Sequence, residues 1–125
     1  MRLKGSETIL VVDDDPDILD LLEGLLRPLG YKVFTVASGE KALEVTAQHP
    51  DEIDLLLTDV VLPGITGHEL AKQVLQKFPR VNVLFMSGLL CPSMAQKGAG
   101  QAFEAFLRKP FAPKELLQKM RKILD

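Results

Sequence analysis

One cysteine, Cys91, stands among 125 residues, so no internal disulfide can form and a reducing cytoplasm is the expected compartment. Basic residues are not in excess. Fifteen lysines and arginines face seventeen acidic residues, the net charge is −2, and the cations are scattered, so direct binding to nucleic acid is not expected. No apolar stretch approaches the roughly 20 residues that cross a bilayer, so no membrane segment is expected. Residues Met1 to Glu7 lack the apolar centre of a secretory signal. Internal repeats, linkers and low-complexity stretches are also missing. Gly98-Ala99-Gly100 lacks the third glycine and the strand–helix setting of a dinucleotide loop. What is left is a chain long enough for one buried core and too short for two, read as a single domain over residues 1–125 with an ordered core from about residue 7.

Five short apolar segments are present: Thr8 to Val12, Lys32 to Val36, Ile53 to Thr58, Val81 to Met86 and Phe103 to Leu107. They show little polar alternation, as expected of parallel strands covered by helices on both faces. Asp15 is placed to cap a first helix and Pro16 to open it; Ile18, Leu22, Leu25 and Leu29 form its apolar stripe and Gly30 ends it. Further helices are predicted from Ser38 to Gln48, from Gly67 to Phe78 and from Pro113 to near Leu124. Between the fourth and fifth strands, Gly88, Pro92, Gly98 and Gly100 predict only a short or labile helix. The alternation predicts an α/β doubly wound sheet of five parallel strands with about five helices.

Open α/β sheets bind ligands beyond the carboxyl ends of their strands. There the sequence places Asp13, Asp14 and Asp15 after strand one, Asp59 after strand three, Ser87 after strand four, and Arg108 with Lys109 after strand five. Carboxylates meeting at one edge repel one another unless a cation joins them, and oxygen donors without His or Cys suit Mg2+ or Mn2+. A hydroxyl and an ammonium at the same edge would complete a site for phosphoryl oxygens, which points to phosphoryl transfer. Asp15 reads as a helix cap, and His49 and His68 read as exposed side chains.

Four segments, Ile9-Leu10-Val11-Val12-Asp13-Asp14-Asp15-Pro16, Leu57-Thr58-Asp59-Val60-Val61-Leu62-Pro63-Gly64, Phe85-Met86-Ser87-Gly88 and Lys109-Pro110-Phe111, resemble the signatures of response-regulator receiver domains, in the same order. The resemblance covers nearly the whole chain and implies the flavodoxin-like strand order 2-1-3-4-5. It implies that Asp59 takes a phosphoryl group from a phosphohistidine. Asp13, Asp14, Asp59 and the backbone carbonyl of Val61 would bind Mg2+. Ser87 and Lys109 would contact phosphoryl oxygens, Phe106 would take part in switching, and a cis Pro110 would aim Lys109 into the site. It implies a protein that catalyses its own phosphorylation and dephosphorylation but is no stand-alone turnover enzyme. Its partners would be a histidine kinase or phosphotransfer domain upstream and an unspecified protein downstream. Phosphorylation would draw Ser87 toward Asp59 and repack the face formed by the fourth helical segment, strand five and the last helix.

Leu84 to Gly88, Phe106 to Phe111 and Ile123-Leu124-Asp125 look most like the receivers at the C-termini of hybrid sensor histidine kinases. Val61 and Leu89, each two residues after a site residue, are apolar where many relatives carry polar groups, which implies slow self-dephosphorylation. A rival resemblance is to aspartate-nucleophile phosphatases of the haloacid dehalogenase superfamily, with Asp13 as nucleophile and Asp15 as general acid. That reading leaves Asp59 unexplained and lacks a late acidic pair.

Overall fold

The computed structural model describes residues 3–88 and 105–125. The strands are β1 (Thr8–Val12), β2 (Lys32–Val36), β3 (Leu55–Asp59), β4 (Asn82–Ser87) and β5 (Phe106–Arg108), and the helices are α1 (Pro16–Leu26), α2 (Gly39–Gln48), α3 (Gly67–Lys77) and α4 (Pro113–Leu124). All strand pairs are parallel, in the order β2-β1-β3-β4-β5. The helix expected between strands four and five, and the expected start of strand five at Phe103, lie outside the described residues.

Unbroken apolar strands follow from burial on both faces. Ile9, Val11, Leu55, Leu57, Leu84 and Met86 pack with Leu22, Leu26, Leu116 and Met120 under α1 and α4. Leu10, Val12, Leu56, Val83 and Phe85 pack with Ala42, Leu70 and Val74 under α2 and α3. Alternate residues of one strand thus serve opposite layers, each fully buried aliphatic contributing about 1.5–3 kcal/mol.

Helices α1, α2 and α3 begin where side-chain oxygens replace missing intrahelical acceptors, whereas α4 begins at Pro113 with no side-chain cap. Asp15 accepts from the Asp17 N–H at 2.9 Å, Ser38 from Lys41 at 3.2 Å and Thr66 from Glu69 at 3.1 Å. The first helix stops short of the sequence expectation. Its α-helical part ends at Leu26, and Arg27–Leu29 form a 3-10 turn because Pro28 has no N–H to continue the ladder. Gly30 still terminates the segment, at φ 105°.

The sheet end opposite the carboxyl edge is closed by Arg121. This arginine, 1% exposed, donates to both Glu7 carboxylate oxygens at 2.8 and 2.7 Å, to Asp125 at 2.7 and 3.3 Å, to the Tyr31 hydroxyl at 3.1 Å and to the Lys4 carbonyl at 3.3 Å. It ties the segment before β1 to α4.

Candidate functional site

Sheet register brings the polar residues together. Val12 pairs with Thr58, so Asp13 and Asp59 leave neighbouring strands side by side; Asp59 pairs with Met86, putting Ser87 one step on; Ser87 pairs with Arg108, putting Lys109 one step further. Asp59 and Ser87 are the last residues of their strands rather than the first of the following loops, so rigid ladders hold them.

Asp13 is fully buried, Asp59 is 9% exposed and Asp14 is exposed, and one carboxylate oxygen from each lies within 4.8 Å of the others. Lys109 reaches both buried acids, with Nζ donating to Asp13 Oδ2 at 2.6 Å and to Asp59 Oδ2 at 2.8 Å. Each carboxylate uses its other oxygen to accept a backbone N–H two residues ahead: Asp13 Oδ1 from Asp15 at 2.9 Å, and Asp59 Oδ1 from Val61 at 3.1 Å. Burial pushes the Asp13 carboxyl above the ordinary aspartate value, and the Lys109 hydrogen bond works against that rise. For Lys109, burial alone would lower the pKa, but the hydrogen bonds to Asp13 and Asp59 outweigh it and raise the value. Lys109 is therefore a full cation serving two acids.

Backbone geometry supports this cluster. The Lys109–Pro110 peptide bond is cis, as the sequence resemblance implied, and the Lys109 N–H donates to the Ser87 carbonyl at 2.8 Å. Lys119 on α4 donates to the Phe106 carbonyl at 2.6 Å, on the unpaired side of β5. Gly67, expected only as the start of a helix, also shapes the site. A Cβ there would overlap the Asp59 carbonyl oxygen, so only glycine lets α3 start against the Asp59 backbone. Its signal in the sequence is a glycine at a helix start, eight residues after the strand-end acid Asp59.

Several sequence expectations fall away from the cluster. Asp15 caps α1, as expected. His68 is half-buried rather than exposed, its ring stacked on Phe85 at 4.5 Å because the first turn of α3 lies over β4. His49 is also partly covered, against Phe34 at 4.6 Å and Glu52 at 3.0 Å. Phe106 is partly buried against the α2–α3 side of the core, and the Val61 side chain is 58% exposed. Leu89 lies outside the described residues.

Comparison with known proteins agrees with this geometry. Residues 9–121 match the response regulator receiver domain family. The chain belongs to that family. The receiver domain is 32% identical over 98% of its length to the sensor kinase CckA of Brucella abortus and 31% identical over 93% to the response regulator GtcR of Aneurinibacillus migulanus. It spans 13% of the first relative and 47% of the second. A CheY-like response regulator receiver domain protein of Methanospirillum hungatei superposes with a TM-score of 0.84 at 30% identity, covering 97% of this chain and 95% of that one. The protein is thus a receiver domain of two-component signalling. The phosphatase alternative is overturned by this membership, and Asp15, its proposed general acid, is occupied as a helix cap.

Among the described residues no helix is long and apolar enough to cross a membrane.

Proposed function

We propose that Asp59 accepts a phosphoryl group from a phosphohistidine of a histidine kinase or phosphotransfer domain, and that the resulting charge switches binding of a downstream protein. One observation carries the reading: Lys109 bridges two buried carboxylates at the edge where three acids meet. An Asp59 oxygen would attack phosphorus as the P–N bond breaks, with the electron pair leaving on the imidazole and an acyl phosphate left on Asp59. Lys109, already within bonding distance of Asp59, would follow the new phosphoryl oxygens without reorganising. Ser87 would turn toward another phosphoryl oxygen, and Phe106 would repack as β5 adjusts, a shift between two populated states.

The donor set fits a hard divalent cation, since it is oxygen only and carries three negative charges. Asp13, Asp14, Asp59 and the Val61 carbonyl would hold Mg2+, with Mn2+ as the alternative. The ion when bound would neutralise charge on the phosphoryl oxygens. We further propose that residues 1–125 act as one receiver unit in the cytoplasm. In a longer parent, a hybrid sensor kinase is favoured by the match along almost the whole chain to a small part of a sensor kinase.

Incubation with Mg2+ and acetyl phosphate should label Asp59, and Asp59→Asn should abolish the label. An adduct on Asp13, or undiminished labelling of Asp59→Asn, would overturn the proposal. The exposed, apolar Val61 offers no polar group to a water attacking the acyl phosphate, so Val61→Asn should shorten the lifetime of the phosphorylated state several-fold. An unchanged decay rate would reject that role.

A further inference from the structure

The loop that leaves Asp59 is anchored at its inner half by the sheet. The Val60 N–H donates to the Met86 carbonyl at 3.1 Å, the Gly67 N–H to the Val60 carbonyl at 2.9 Å, and Val60 and Leu62 are each 8% exposed. Its outer half, Pro63 to Thr66, rests on a different element, the first turn of α2. There the Glu40 carboxylate lies against the α-carbon of Gly64, and Oε1 accepts the Ile65 N–H at 3.4 Å. Gly64 has φ 76°, and a Cβ on it would overlap Glu40 Oε1, so the turn and the carboxylate fit only with glycine between them. The Ile65 side chain lies over Gly39, so two consecutive residues of α2 grip two consecutive residues of the loop.

From this geometry we infer that Glu40 is a positioning residue for the phosphorylation site: it latches the β3–α3 loop to α2 and so fixes the backbone around Val61. The inference rests on the reading of Asp59 and its metal site given above. Glu40 touches none of the reacting groups. It acts through Ile65 and Gly64, closing the loop at the end away from Asp59. Without it, the Ile65 side chain over Gly39 is left to hold Gly64 and Ile65 to α2, and the Val61 carbonyl samples a wider range of positions.

The test uses three proteins, the wild type, Glu40→Gln and Glu40→Ala. Glutamine keeps an oxygen that can accept the Ile65 N–H and removes the charge; alanine removes both. In metal-free protein, NMR should show the Ile65 amide exchanging several-fold faster with solvent in Glu40→Ala than in the wild type, with Glu40→Gln near the wild type. Mg2+ titration followed at the Val61 amide should give a Kd raised about three- to tenfold in Glu40→Ala and little changed in Glu40→Gln. Equal exchange and equal Kd in all three proteins would overturn the latch. So would a glutamine variant as impaired as alanine, because the effect would then be one of charge. If the wild type itself fails to bind Mg2+, the site reading fails, while the metal-free exchange rates still decide whether the latch exists.

Discussion

Lys109→Met should slow labelling by acetyl phosphate on the order of 100-fold, the loss seen when one preorganised electrostatic donor is removed from a transition-state site. The methionine keeps most of the stem volume and deletes the charge. The wild-type ammonium holds one oxygen of Asp13 and one of Asp59. Its removal leaves a fully buried acid and its neighbour without their shared counterion. Two consequences of opposite sign follow. Labelling falls because the developing phosphoryl charge is met by one cation fewer, while Mg2+ binds more tightly because the acidic cluster has lost its internal competitor. Initial labelling rates and a Mg2+ titration at the Val61 amide check the pair. A labelling rate within threefold of the wild type would contradict the role of Lys109, and weaker Mg2+ binding would contradict the counterion argument.

At the opposite end of the sheet, Glu7→Ala should cost about 3 kcal/mol, and should cost more than Arg121→Met. The ordering follows from what each change leaves behind. Deleting Glu7 strands a guanidinium that is 1% exposed with Asp125 as its remaining ionic partner, itself 58% exposed. Replacing Arg121 with methionine keeps apolar volume in the core and leaves Glu7, about one quarter exposed, to rehydrate. At about 4 °C per kcal/mol for a domain of this size, thermal unfolding should fall by about 12 °C in Glu7→Ala. If Arg121→Met proves the more damaging, the account of a buried unpaired charge is wrong. The same contact has a pH signature. The Arg121 hydrogen bond holds the Glu7 carboxyl down to about 2 from an ordinary 4.5, against the upward pull of burial. Because the folded value is the lower one, the contribution is complete above about pH 4.5 and is lost as pH falls toward 2. Acid titration of stability should therefore be steeper between these limits in the wild type than in Glu7→Gln.

The architecture was legible because the central strands β1, β3 and β4 lie between helices and had to be apolar on both faces. Thr8–Val12 and Lys32–Val36 begin and end where their sequences predict. The third and fourth strands run one residue further than predicted, to Asp59 and Ser87, since ladder bonds hold a polar end residue that hydrophobicity alone excludes. The site acids and Lys109 could be found because strand ends select them. That Lys109 binds Asp13 as well as Asp59 could not, because it depends on the relative register of strands joined through the long fourth crossover. Arg121 was missed for a different reason. In sequence it is one more cation in a charged final helix. Its only signal is its place in the stripe of Leu117, Arg121 and Leu124, where helical spacing points an arginine at the core.

The strand order also determines how far apart in the chain the members of the site lie. β1 and β3 meet across 46 positions, from Ile9 to Leu55, and their pairing brings Asp13 beside Asp59. Lys109 reaches Asp13 across 96 positions, through a sheet in which β4 lies beside β3 and β5 beside β4. The longer closure costs only about 0.6 kcal/mol more chain entropy than the shorter one. The cluster therefore depends on the whole sheet, and a fragment ending before β5 would hold Asp13 and Asp59 without Lys109.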